Sequence, residues 1–95
     1  MTAAARLTDE SAPRLAAGVR LKDDRARNCR VLLAPERVLV PDDTALEVLD
    51  RLDGTRTVSQ LSQDLAAEYD ALAETIQADV LALLNELAEK GFVTS

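Results

Sequence analysis

Few side chains in this sequence could carry covalent or acid–base chemistry: the lone thiol of Cys29, and the carboxylates of Asp42, Asp43 and Asp79. A cysteine becomes a nucleophile when a neighbouring base draws off its proton, and a zinc ligand when other thiols or imidazoles complete the shell. The chain has no histidine and no second cysteine. Cys29 therefore has neither kind of helper, cannot close an intrachain disulfide, and reads as a half-buried strand residue. Two carboxylates could share a proton as general acid and base. Asp42 and Asp43, however, stand where a helix begins, and Asp79 falls on the outer face of another, so they read as helix-end and surface acids. The 3 glycines form no phosphate-cradling loop, and no nucleophile elbow is present. The expectation is a protein that is not an enzyme, with no catalytic residue, no metal and no cofactor.

A different kind of chemistry is available at Arg37, Val38, Leu39 and Val40. Apart from Arg37, this run is apolar on both faces, whereas an edge strand with one solvent face should alternate. It carries no internal proline or lysine to blunt pairing, and Pro41 comes only at its end. Such a strand can hydrogen-bond a guest backbone.

The elements that would position it follow from periodicity. Residues 1–17 show no sustained period and read as an N-terminal arm, mobile or wrapped irregularly over a domain that spans 18–95. Val19 to Lys22 alternate as a first strand, Asp23 to Asn28 form a loop, and Cys29 to Ala34 form a second strand. Pro35 and Glu36 turn the chain into Arg37–Val40 as an antiparallel third. From Asp42 the period becomes helical. One helix carries Ala45, Leu46, Leu49 and Leu52 inward and is expected to terminate at Gly54. A second opens on a Thr57/Gln60 capping box and carries Val58, Leu61, Leu65 and Tyr69 on its apolar side. A third, from about Ala73 to Lys90, carries Ile76, Val80, Leu83, Leu84 and Leu87, and Gly91 stops it before Phe92 and Val93 pack back. The fold class is α+β: a three-stranded antiparallel meander followed by three helices, compatible with a winged helix-turn-helix.

The third helix has more apolar surface than one face needs, because Leu81, Leu84 and Ala88 widen its stripe. Beside an open third strand they would frame a groove. The alternative is that they pack on Leu7 and Leu15 of the arm, or on a second copy of the chain.

Composition narrows the partner. A chain of 95 residues with 47% hydrophobic content supports one core, and Tyr69 and Phe92 are its only aromatics, leaving little ring surface for bases or flavins. Residues 1–40 hold eight Lys or Arg against five acids, residues 41–95 three against twelve, and the whole carries −6. A helix bearing Asp64 and Glu68, or Glu74, Asp79, Glu86 and Glu89, would be repelled by phosphates, which disfavours DNA binding. The N-terminus has no apolar run suited to a signal peptide or membrane span, so a cytoplasmic protein is expected.

Four segments in order carry a family resemblance: Pro13 to Leu21 (PRLAAGVRL), Val31 to Val38 (VLLAPERV), Asp53 to Val58 (DGTRTV) and Ala78 to Gly91 (ADVLALLNELAEKG). Together they resemble the pyrroloquinoline quinone biosynthesis protein D (PqqD) family. The departures are Arg30 where an aromatic often stands, Ala17 for a common proline, and Pro41 before the first helix. The resemblance implies a peptide chaperone, a recognition element of ribosomally synthesised peptide pathways. It would bind the precursor peptide PqqA and present it to PqqE, a radical S-adenosylmethionine enzyme that crosslinks a Glu and a Tyr of that peptide. The peptide would lie as an added strand along Arg37, Val38, Leu39 and Val40, with Leu81, Leu84 and Ala88 lining its pocket. The rival readings are a winged-helix DNA-binding protein and a structural dimerisation module; the chain itself would be a monomer or homodimer.

Overall fold

Strand-period and helix-period segments separate cleanly along the chain. The computed structural model describes residues 6–95; residues 1–5 of the expected N-terminal arm lie outside the described residues. The order is β1 (Arg14–Leu15), β2 (Arg20–Asp24), β3 (Cys29–Ala34), β4 (Arg37–Leu39), α1 (Asp43–Leu49), α2 (Val58–Tyr69), α3 (Ala73–Glu89) and β5 (Val93–Thr94). The architecture is α+β, with three antiparallel strands in the order β2-β3-β4 followed by three helices. β2 runs further than the alternation suggests: Asp23 and Asp24 pair with Arg30 and Cys29, and the turn is confined to Arg25–Asn28, closed by Asn28 at φ 54. Cys29 opens β3, half-buried as expected.

Helix ends explain much of the rest. Asp42 caps α1 by accepting the Ala45 N–H at 2.8 Å. Contrary to expectation, Gly54 does not terminate this helix. After Leu49 the backbone tightens into i→i−3 bonds, Arg51 N–H to Val48 and Leu52 N–H to Leu49, so the helix is finished before Gly54 is reached. Gly54 instead turns at φ 76 and donates its N–H to Pro13. The Thr57/Gln60 capping box is present, and the first N–H groups of α2 find an unexpected partner. Val58 and Ser59 donate to the carbonyls of Ser11 and Asp9, so the N-terminal segment finishes what the box begins. At the far end of α3, Gly91 at φ 84 sends its N–H to Ala88 while Phe92 donates to Leu87. This paired closure directs Phe92 and Val93 back onto the core.

The core joins Leu32 of β3, Val48 and Leu49 of α1, Val58 and Leu65 of α2, Val80, Leu84 and Leu87 of α3, and Phe92. Val31 and Leu32 point to opposite faces of the sheet yet both are buried, so the central strand is covered on both sides. Residues 6–17 pack against this body. β1 pairs with β5, Arg14 opposite Thr94 and Leu15 opposite Val93, a two-stranded sheet that periodicity does not reveal. Buried Leu7 is held at both backbone groups by Asn85: its N–H donates to Oδ1 at 2.8 Å, and Nδ2 donates to its carbonyl at 3.2 Å. An Asn85→Leu variant keeps the branched outline of the side chain but leaves two buried backbone groups unpaired, and is expected to cost about 1–3 kcal/mol. Urea unfolding reads the loss, and amide exchange at Leu7 should accelerate alongside it.

Candidate functional site

β4 lies at one border of the three-stranded sheet: β3 pairs with it on one side, and among the described residues no strand takes the other. Its register follows from the two-residue turn at Pro35–Glu36, which sets Ala34 opposite Arg37, Leu33 opposite Val38 and Leu32 opposite Leu39. In an antiparallel ladder closed by such a turn, the pair beside the turn is hydrogen-bonded and the next is not. Val38 therefore aims its N–H and C=O away from β3, towards the open side. Its side chain is exposed too, at 52%, as is that of Val40 at 54%. Leu39 points the other way and packs on the core. The edge thus offers unpaired backbone groups flanked by two solvent-facing valines.

Arg37 is occupied differently. Its guanidinium donates to the Lys90 carbonyl at the end of α3 and lies over the Phe92 ring, 4.5 Å from its centroid. A cation there meets the negative end of the helix dipole and an aromatic face together. Arg37 therefore pins the start of β4 to the C-terminus of α3.

Three residues beyond β4, at Asp42, the chain enters the wall of a groove of about 570 Å³. The groove runs between the three helices. Ala45 and Val48 of α1, Leu65 of α2, and Ile76, Val80 and Leu83 of α3 give it apolar walls; Asp42, Asp43, Glu47 and Asp79 supply carboxylates, and Tyr69 lies along it. The three α3 residues named for the pocket from sequence are distributed otherwise. Leu84 is wholly buried in the core. Leu81 shares a shallower depression with Asp9, Glu74, Gln77 and Ala78, and Ala88 packs against the core half-buried. Leu81, Asn85 and Ala88 fall on one stripe of the helix, the stripe that holds Leu7. The α3 residues that meet the groove are Ile76, Val80 and Leu83 together with Asp79, which sequence reasoning assigned to core and surface roles. A polar residue set among apolar ones was the signal available: Asp79 marks the groove stripe, and Asn85 marks the stripe facing the N-terminal segment.

Ion pairs brace the surroundings. Arg30 makes two bonds to Asp50, of 2.7 and 2.8 Å, tying β3 to the end of α1 and holding the Asp50 carboxyl below its ordinary range through that hydrogen bond. Arg51 bonds Glu47 at 2.8 Å and also Glu68, linking α1 to α2 and sharing one positive charge between two acids near the groove. Tyr69 holds its phenolic proton more tightly than usual, first through partial desolvation and then through the charges of Glu47 and Glu68. Among the described residues, no three His, Cys, Asp or Glu side chains gather as a metal site, and no helix is long and apolar enough to cross a membrane.

An open strand border whose chain leads directly into a helix-walled apolar groove suits the uptake of an extended chain, and the comparisons with known proteins bear on whose chain this is. The family model of coenzyme PQQ synthesis protein D (PqqD) matches residues 29–93. The chain belongs to the PqqD family. A PqqA binding protein of Xanthomonas axonopodis pv. citri (strain 306) is 56% identical over 84 residues, which is 88% of this chain and 91% of the relative. In three dimensions the chain is similar to the solution structure of a PqqD truncation of Methylobacterium extorquens PqqCD. That protein represents a functional, stand-alone recognition element for ribosomally synthesised and post-translationally modified peptides. The TM-score is 0.80 at 46% identity, covering 94% of this chain and 95% of that one. The fold also recurs in lasso peptide synthetase B1, solved in complex with the leader peptide, with a TM-score of 0.74 at 23% identity, covering 90% of this chain and 100% of that one. The PqqD assignment thus agrees with the resemblance carried by the four sequence segments.

Proposed function

We propose that this protein is the peptide chaperone of pyrroloquinoline quinone biosynthesis, binding the precursor peptide PqqA and presenting it to the radical S-adenosylmethionine enzyme PqqE in the cytoplasm. The observation that carries the reading is the unpaired border of β4, where Val38 turns its backbone groups outward beside exposed Val38 and Val40 side chains. PqqA would add as a strand along Arg37–Val40 and rest side chains on the groove walled by Ile76, Val80 and Leu83. In this arrangement Leu81, Leu84 and Ala88 act from behind, keeping α3 in place. The PqqD relationship supports the choice of peptide, since a relative 56% identical is a PqqA binding protein. Catalysis would belong to PqqE, and the chaperone would contribute by holding the substrate extended.

Titrating PqqA into isotope-labelled protein tests this directly. Amide shifts are expected at Val38 to Val40 and at Ile76 to Leu83. An unchanged spectrum at about 100 µM peptide would exclude binding of useful strength. A homodimer paired through β4 is a competing use of the same border; light scattering across concentration distinguishes it, because self-pairing would grow with protein and recede as PqqA is added.

A further inference from the structure

The groove is not uniformly apolar, and its carboxylates are not all accounted for. Asp42 is used as the cap of α1 and Glu47 is paired with Arg51. Asp43 and Asp79, from α1 and α3, line the same groove, are exposed, and have no ion-pair partner among the described residues. Val48, Ile76, Val80 and Leu83 line the same groove.

We propose that this groove selects a Lys or Arg side chain of the bound peptide, its methylene stem on the apolar floor and its cationic head between Asp43 and Asp79. The inference rests on the reading that an extended peptide docks along β4, and it adds the chemistry of one side chain that peptide must carry. The match is one of shape as well as charge. Long basic side chains bury their stems and keep their heads at a polar rim, which is the pattern these residues present. An acidic side chain there would be repelled by both carboxylates. Tyr69 adds to the fit: its ring lies along the groove, half-exposed at 54%, where an aromatic face attracts a cation. The groove's volume of about 570 Å³ leaves room for a long side chain and part of the residue beside it.

The test uses the whole protein with PqqA as ligand, measured by calorimetry at low and high salt. The double variant Asp43→Asn/Asp79→Asn is compared with Glu10→Gln/Glu74→Gln, which removes the same charge elsewhere, and circular dichroism checks that both fold. The groove variant is expected to bind about five- to tenfold more weakly at low salt, and with a flatter salt dependence, while the control stays within about twofold of the unmodified protein. Replacing each Lys and Arg of the peptide in turn by Gln should then identify one position whose loss matches that of the groove variant and adds nothing to it. Equal binding by the unmodified and groove-variant proteins, or a peptide with no such position, overturns the inference while leaving the chaperone reading intact. Failure of the unmodified protein to bind PqqA at all overturns both.

Discussion

Replacing Val38 by proline should weaken PqqA binding on the order of 10- to 100-fold while leaving the domain folded. The argument is geometric. Val38 faces Leu33 across the β3–β4 ladder as a pair that exchanges no hydrogen bonds, so its N–H is not part of the sheet. Proline removes that donor and sets a ring where the guest backbone must approach, yet breaks nothing between β3 and β4. The residue before it, Arg37, is already in strand conformation, the conformation that a following proline prefers. Leu39 makes the informative comparison. It sits opposite Leu32 as a hydrogen-bonded pair, so proline there would damage the sheet itself. Calorimetry with PqqA, paired with urea unfolding of each variant, separates the two effects. Unchanged affinity in Val38→Pro would remove β4 as the docking strand.

The largest effect on stability is expected from Leu84→Ala, at about 2–5 kcal/mol. Leu84 is 0% exposed and shares its cluster with residues of β3 and all three helices. The domain has few reserves. Phe92 is the only aromatic in the core among the described residues, the single cysteine forms no disulfide, and domains of this kind are stable by only about 5–15 kcal/mol. The cavity would be bordered by β3 on one side and helices on the other, elements too well anchored to close over it. The urea midpoint should fall with the slope unchanged. A loss under about 1 kcal/mol would mean that the helices collapse inward to fill the space.

Much of the fold was legible because its signals are local. The Thr57/Gln60 box, the Asp42 cap and the Gly91 closure each sit within a few residues of the element they define, and the Pro35–Glu36 turn fixes the register of β4. What stayed hidden is held by residues far apart. β1 and β5 are two residues each, too short to show a period, and Asp9 and Ser11 serve α2 through backbone carbonyls that any residue would supply. Gly54 was misread because a glycine after a helical run resembles a terminator whether or not the helix reaches it. The site divides in the same way. The strand edge was visible in Arg37–Val40, but α3 carries two apolar stripes, and composition does not say which one meets the groove. Once Leu7 is seen bound to Asn85, that stripe is taken, and Ile76, Val80 and Leu83 are the ones left facing the groove.

The pairing of β1 with β5 also bears on how the molecule is made. Arg14 and Thr94 are partners far apart in sequence, so their contact must wait for all of the chain between them to be synthesised. Closing so long a loop costs only slightly more than closing a short one, yet the nascent β2–β4 hairpins, whose partners are near in sequence, have no such wait. The partners of β4 are therefore all available to it on the emerging chain before β1 and β5 can clasp.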